Sequence, residues 1–298
     1  MLLSPPAPQQ PVLRFAPSPN GRLHLGHALS ALTNERLARA MGGRLLLRIE
    51  DIDRERCTAA LEAALREDLA WLGIAFEGGV RRQSEHLAEY AAVIEELRRR
   101  GLVYPCFCSR QEVRMAAAAR EADSGQPWPA DPDGAPLYPG TCRERDPAEA
   151  ASLAARGEPH VLRLDMERAL AATGGGLSYE VFDDAGAVST VQARPQRWGD
   201  VVLARKDVPT SYHLSVVIDD ALQGVTHVVR GRDLEAATDI HVLLQRLLAL
   251  PTPLYRFHEL LADAEGRKLA KSRGSESLAD LRAKGITAQQ IRRDLGFA

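Results

Sequence analysis

At 298 residues, 45% hydrophobic and 26% charged, the chain can form one large domain or two modest ones around a buried core. A formal net charge of −2 excludes an obligate polybasic coat for nucleic acid but leaves room for a local basic face. No stretch approaches the ~20 apolar residues that span a bilayer, and four cysteines are too few for a secreted disulfide scaffold.

The opening MLLSPPAPQQP has neither a basic leader nor an apolar run, so residues 1–11 are expected as a Pro-rich disordered tail and not a signal peptide. A soluble, cytoplasmic protein without membrane contact is the expectation. Val12–Ala16 (VLRFA) is a strand candidate closed by the Pro/Gly-rich PSPNG. From Gly26 the apolar residues fall at helical spacing, through Leu29, Leu32, Leu37 and Met41, and stop at Gly42-Gly43. RLLLRIE then reads as a strand buried on both faces. Strand, helix and strand in close succession form a βαβ unit, which predicts a parallel sheet and a right-handed crossover.

Helices are expected around Thr58–Leu72 and Ser84–Arg100. Cys106 to Cys142 reads as irregular, rich in Pro, Gly and Asp between Asp123 and Pro139, apart from a helix at MAAAAREA. HVLRL, LSYEVFDD and AVSTVQ are β-rich, with a turn at Asp184–Gly186. Regularity returns with DVVLARKD, YHLSVVIDDALQGVTHVVRG and the helix EAATDIHVLLQRLLAL. A Gly/Lys-rich loop, DAEGRKLAKSRGS, and two short helices close the chain. The simplest account is an α/β fold in which a parallel framework is interrupted by an irregular, partly β insertion.

Two segments carry phosphate chemistry. His24 and His27 of HLGH fall at the first strand-to-helix corner, where unpaired N–H groups and the positive end of the helix dipole favour an anion. Imidazoles there can donate to phosphate oxygens as charge develops, and Gly26 would let a nucleotide lie against the backbone. Lys268 and Lys271, between Gly266 and Gly274, suit a triphosphate whose charge redistributes during reaction. Taken singly, a turn with two surface histidines and a solvated basic loop explain these residues as well. A nicotinamide-dinucleotide site is disfavoured, because the first corner lacks G-x-G-x-x-G.

Cys106, Cys108 and Cys142 cluster as C-x-C followed by a third thiol, while Cys57 lies apart and looks like an ordinary thiol. In a reducing compartment this pattern reads as a metal site, and tetrahedral zinc needs a fourth ligand. On chemistry alone, His86 and His160 are possible.

RFAPSPNGRLHLGHA, RIEDIDRER, YHLSVVIDDALQGVTHVVRGRDL and KLAKS, in this order from about Arg14 to Ser272, resemble the signatures of class I aminoacyl-tRNA synthetases, in their glutamyl branch. The resemblance implies a Rossmann-like catalytic domain with a zinc-containing α/β insertion and a short C-terminal helical segment. The boundaries expected are a tail over 1–11, the first Rossmann half over 12–75, the insertion with the acceptor-binding region over 76–199, the second half over 200–250, and the lysine-loop segment with terminal helices over 251–298.

Carried over by position, the resemblance places Arg14, Ala16 and Ser18 at the glutamate and ATP pocket and Glu50 on the substrate ammonium. Tyr212 and Arg230 hold the amino acid. His24, Gly26, His27 and Lys271 bind ATP, and His24, His27, Lys268 and Lys271 are the catalytic set. The chemistry agrees, since glutamate carries two carboxylates and one ammonium and so calls for guanidinium forks and an acid. Tyr138 of YPGTC is implied as the fourth ligand of one structural Zn2+ per chain, beside Cys106, Cys108 and Cys142. ATP is implied as a substrate with Mg2+. Two positions depart from the family pattern: Ala270 replaces the first serine of the lysine loop, and Asn20 stands where Thr or Ser is usual.

The chain ends at Ala298, soon after the lysine loop, and an anticodon-reading extension is therefore not expected. Within the family this resembles the branch that esterifies queuosine in the anticodon stem-loop of tRNA(Asp). That implies a monomer that makes glutamyl-adenylate and passes the glutamyl group to a queuosine hydroxyl. Two alternatives remain at this level: a small glutamyl-tRNA synthetase charging a 3′ end, and a catalytically silent tRNA-binding paralogue.

Overall fold

The structure is a computed structural model that describes residues 10–261 and 276–297. The expected tail therefore lies largely outside the described residues, as do Lys268, Ala270, Lys271 and Ser272. Gln10 donates from its amide to the Gly42 carbonyl at 3.0 Å, so the tail's last residues are held against the first helix–strand turn. Gly43 is required there, because a Cβ would stand 2.6 Å from the Pro11 carbonyl oxygen.

The chain opens as strand β1 (Val12–Phe15), helix α1 (Leu25–Ala40) and strand β2 (Arg44–Ile49). β1 and β2 are parallel, with Arg14 opposite Leu46. Alternate side chains enter different cores: Val12 and Leu46 join one apolar cluster, Leu13, Phe15, Leu45, Leu47 and Ile49 the other. The same parity sends Arg14 and Arg48 to the face of Val12 and Leu46. A two-residue strand β3 (Arg81–Arg82) pairs with β2 at the edge.

Helix α2 (Ala59–Trp71) is capped by Thr58, whose hydroxyl accepts from the Leu61 N–H at 3.3 Å. The helix expected over 84–100 is preceded by a 3-10 turn at Gln83–Glu85 and runs as α3 (Leu87–Arg99). Strand β4 (Val103–Cys106) follows. The helix expected at MAAAAREA runs longer, as α4 (Arg110–Ser124), set by a Ser109/Glu112 capping box and by Gly125 in the left-handed region. Helix α5 (Pro147–Ala155) and helix α6 (Met166–Thr173) were not expected; each starts on an aspartate cap, Asp146 and Asp165. Between them lies β5 (Val161–Leu164).

The hairpin of β6 (Ser178–Phe182) and β7 (Val188–Gln192) turns at Asp183–Ala187, close to the expected position. Next come β8 (Val202–Ala204), α7 (Tyr212–Leu222), β9 (His227–Gly231), α8 (Thr238–Leu247), β10 (Leu254–His258), α9 (Leu278–Ala283) and α10 (Ala288–Asp294). α8 is shorter than the apolar stretch that predicts it, because a 3-10 turn at Arg232–Leu234 takes up the approach.

The large sheet has the order β3-β2-β1-β9-β10-β6-β7, parallel throughout except for the β6–β7 hairpin. β4-β5-β8 form a separate antiparallel sheet. Strand pairing therefore crosses the expected insertion. β6 and β7, placed by sequence within the insertion, extend the large sheet, while β8, placed in the second Rossmann half, completes the small one. Pairing partners of short strands are chosen by tertiary packing, which composition does not encode. Among the described residues no helix is long and apolar enough to cross a membrane.

Candidate active site

A cavity of about 700 Å3 opens where β1, β9 and β10 end and α1 begins. Ligands of open α/β sheets sit in this crevice beyond the carboxyl ends of the strands. Arg14, Ala16, Ser18, His24, Gly26, His27, Glu50, Tyr212 and Arg230 all line it. Every residue assigned by sequence to glutamate or ATP is thus brought to one cavity, apart from Lys271 and the catalytic Lys268, which lie outside the described residues. Leu261 lines the same cavity, and Ser277 bridges to His24.

His24 is the N-cap of α1. Its Nδ1 accepts from the Gly26 N–H at 3.1 Å, and its own N–H donates to Nδ1 of His27 at 3.2 Å. The two rings lie 3.9 Å apart. An Nδ1 that accepts carries no proton, so each neutral ring is protonated on Nε2. Capping thus fixes the tautomer of both imidazoles. Gly26 has a nearer reason than nucleotide approach: a Cβ would meet the His24 ring at 2.9 Å and break the cap.

Beneath the cavity lies a buried ionic network in which Arg14 and Glu50 meet Arg48, Asp219 and Asp220, residues given no role from the sequence. Asp220 on α7 accepts at Oδ1 from Arg14 Nε at 3.0 Å and from an Arg48 terminal nitrogen at 2.7 Å. Arg48, completely buried, also reaches Glu50 at 3.2 Å and Gln223 at 3.0 Å. The neighbouring Asp219 takes Arg81, Gln83 and Tyr90 at 2.7, 2.8 and 2.9 Å. Burial alone would raise Asp220, but the Arg14 and Arg48 guanidiniums outweigh it and hold the carboxyl below its usual range. Glu50 is raised, since burial disfavours its charge more than Arg48 and Arg14 restore it. The RIED and VIDD segments held these acids in view; their contacts join residues far apart in the chain.

Arg230 is set from behind by α8. One terminal nitrogen donates to Thr238 Oγ1 at 2.6 Å and the other to His241 Nδ1 at 3.1 Å, with the Tyr212 hydroxyl at 3.5 Å. His241 continues to His213 at 3.2 Å. Burial lowers both histidines, His213 to about 4, with Arg230 adding to the effect, so the pair is neutral and accepts from the guanidinium. With Arg14 engaged, among the described residues, only through Nε and Arg230 clamped at both ends, two guanidiniums and the Glu50 carboxyl face one space. That set matches two carboxylates and an ammonium.

The second chemical cluster joins β4 to the following loops. Cys106, Cys108 and Cys142 bring their sulfurs within 4.8 Å of one another. The Tyr138 hydroxyl stands 3.3 Å from Cys106 Sγ and 3.7 Å from Cys108 Sγ, and accepts from the Cys142 N–H at 2.7 Å. Burial pushes the Cys108 thiol up to about 12. Burial also opposes ionisation of Cys142, but hydrogen bonds to its sulfur, led by Tyr138, bring it below its ordinary value. Three soft donors on a short, half-buried arc fit a tetrahedral zinc site, with the phenol placed beside them. His86 is instead paired with Glu89 at 2.7 Å, and His160 with the Glu158 carbonyl at 2.8 Å.

The sequence profile of the tRNA synthetases class I (E and Q), catalytic domain, matches residues 11–295. The chain belongs to this family. It is thereby a ligase of the aminoacyl-tRNA synthetase type, for which ATP, an amino acid and tRNA are the reactants. Among the proteins it is similar to is the glutamyl-Q tRNA(Asp) synthetase of Rhodobacter capsulatus, 48% identical over 96% of this chain and 100% of that one. The protein of that name from Nocardia farcinica is 40% identical over 93% and 81% of the two chains. A crystal structure of a glutamate tRNA ligase from Elizabethkingia meningosepticum, in complex with its amino acid, superposes with a TM-score of 0.70 at 27% identity; the match covers 89% of this chain and 53% of that one. The synthetase catalytic fold read from sequence is therefore the observed one.

Proposed function

We propose that the chain activates L-glutamate with ATP and transfers the glutamyl group to queuosine in the anticodon loop of tRNA(Asp). The observation that carries this reading is the convergence of Arg14, Glu50, Tyr212 and Arg230 with the HLGH corner on one cavity. The full-length similarity to proteins named for that reaction supports it further.

In the first step an oxygen of the glutamate α-carboxylate attacks the α-phosphorus of ATP; the bond to the β-phosphate oxygen breaks and pyrophosphate leaves. Arg14 and Arg230 hold the carboxylates and Glu50 the ammonium, which fixes the angle of attack. His24 and His27, each protonated on Nε2, donate to the phosphates as charge develops, and Lys268 and Lys271 stabilise the same charge. ATP would enter as its Mg2+ complex, which would supply further neutralising charge for the pyrophosphate. In the second step a queuosine hydroxyl attacks the acyl carbon, the mixed anhydride breaks, AMP leaves and the hydroxyl proton passes to solvent. No protein nucleophile is required, because the adenylate is already activated.

Cys106, Cys108, Cys142 and Tyr138 would hold one structural Zn2+, which would tie β4 to the loops after it. The enzyme works in the cytoplasm as a monomer, where ATP and tRNA are available. The rival reading, charging of a 3′ end, is favoured by similarity to glutamate–tRNA ligase 2 of Nitrosococcus oceani, 38% identical over 93% of this chain but 57% of that one. The two are separated by incubating enzyme with radioactive glutamate, ATP and bulk tRNA, then cutting the product. Label in the anticodon-loop fragment is expected; label at the 3′ terminal adenosine overturns the reading.

A further inference from the structure

A second cavity, of about 470 Å3, opens beside the first, between the β6–β7 hairpin and the turn after β9. Its size lies in the range of small-ligand pockets. A single 3-10 turn divides the two: Asp233 and Leu234 line the active-site cavity, while Arg232, Glu235 and Ala236 line the second. Whatever occupies both must be continuous over a short span.

The wall of this cavity is built, not incidental. The Tyr179 ring is 5% exposed and packs edge-on against Tyr255, yet its hydroxyl has no partner among the described residues. The hydroxyl therefore faces the cavity, open to a ligand that can hydrogen-bond it. Arg197 is aimed: its Nε donates at 2.7 Å to Oδ2 of Asp239, itself 2% exposed, and its terminal nitrogens have no hydrogen-bond partner among the described residues. Arg194 and Gln192 extend over the opening with no side-chain partner among the described residues. Two guanidiniums, one fixed by a buried acid, suit a phosphate; a phenol and an amide suit the hydrogen-bonding edge of a base.

We propose that this cavity is a subsite for a nucleotide of the tRNA loop adjacent to the nucleotide that receives glutamate. The proposal rests on the reading above. The phosphate meets Arg194 and Arg197, and the base edge reaches the Tyr179 hydroxyl and the Gln192 amide. A hydroxyl on a buried ring can be reached only by a base splayed out of its stack, which single-stranded loops permit and duplexes do not. The subsite thereby selects a loop over a helical stem while adding few phosphate contacts, in keeping with the net charge of −2.

The test uses the full chain, the Arg194→Ala and Tyr179→Phe variants, and an RNA stem-loop carrying queuosine. Binding is read by fluorescence anisotropy across a salt series, transfer by the KM for the stem-loop, and activation by glutamate-dependent ATP–pyrophosphate exchange. Arg194→Ala is expected to raise Kd and KM about tenfold and to lower the salt slope by about 0.7, one phosphate contact on a single strand. Tyr179→Phe is expected to raise both about threefold with the slope unchanged, as for a neutral hydrogen bond. Exchange stays at the wild-type rate in both. Unchanged Kd and KM in both variants, or a loss of equal size in exchange, overturns the subsite. If wild-type enzyme labels a 3′ end and not the loop, the reading of the reaction fails, and the variants' effect on RNA binding still decides the subsite.

Discussion

Arg48 donates to Oδ1 of Asp220 at 2.7 Å, with side chains 0% and 8% exposed. The same oxygen takes Arg14 at 3.0 Å, so one carboxylate on α7 orients two arginines from adjacent parallel strands. Removing one partner of a buried ionic group leaves uncompensated charge and costs roughly 3–5 kcal/mol. Asp220→Ala is expected to lower the thermal midpoint strongly. Asp220→Asn keeps the shape and one acceptor; it should fold better, yet raise the glutamate KM in pyrophosphate exchange about tenfold or more, because Arg14 loses its orientation. A glutamate KM unchanged in Asp220→Asn would show that Arg14 does not meet the substrate.

His24 has two duties that substitution can separate. His24→Asn retains a side chain suited to capping, whereas His24→Ala lacks one, which costs about 1 kcal/mol. Both variants lose the Nε2 donor. Expected are near-wild-type stability for Asn, a small loss for Ala, and a fall in the exchange rate of about a hundredfold in both, with glutamate KM little changed. Activity retained in His24→Asn would reduce the residue to a cap.

The buried histidines make stability depend on acidity. His213 titrates near 4 in the fold against 6.5 in the unfolded chain. Between those values the unfolded chain binds more protons, so stability rises with pH there. This contribution is fully present above about 6.5 and lost as pH falls to about 4. Urea unfolding across that window should show the decline, and His213→Phe should flatten it. An unaltered pH profile in the variant would place the origin elsewhere.

For the cysteine cluster, purified protein is expected to hold one zinc per chain by elemental analysis. Chelation should lower the thermal midpoint without shifting the apparent KM for ATP, since the cluster joins β4 to its loops and shares no residue with the lining of the cavity at the HLGH corner. Cys142→Ser should abolish retention through gel filtration. Tyr138→Phe distinguishes ligand from neighbour: as a ligand the phenol's loss weakens zinc at least tenfold, whereas a neighbour's loss leaves affinity intact.

Much of the candidate site was legible in the chain. The first βαβ unit showed in the spacing of Leu29, Leu32 and Leu37 and in the unbroken apolar run of RLLLRIE, because these patterns are local consequences of helix and strand periods. Residue types suited to glutamate and phosphate stood in recognisable segments, and the fold delivered all the described ones to one cavity. Helices α5 and α6 were missed although Asp146 and Asp165 cap them, because at 9 and 8 residues they are too short for a helical period to stand out.

What the sequence by itself determined was the residue types offered to the candidate site and the local turns that present them, such as the HLGH cap, whose partners lie within three residues. Only the tertiary structure decided which groups support them. Asp220 lies 206 residues from Arg14, and Arg197 is 42 residues from Asp239, separations at which no pattern of local spacing carries information. The assignment of β6, β7 and β8 to their sheets was settled in the same way, since short strands take the edges that packing leaves open.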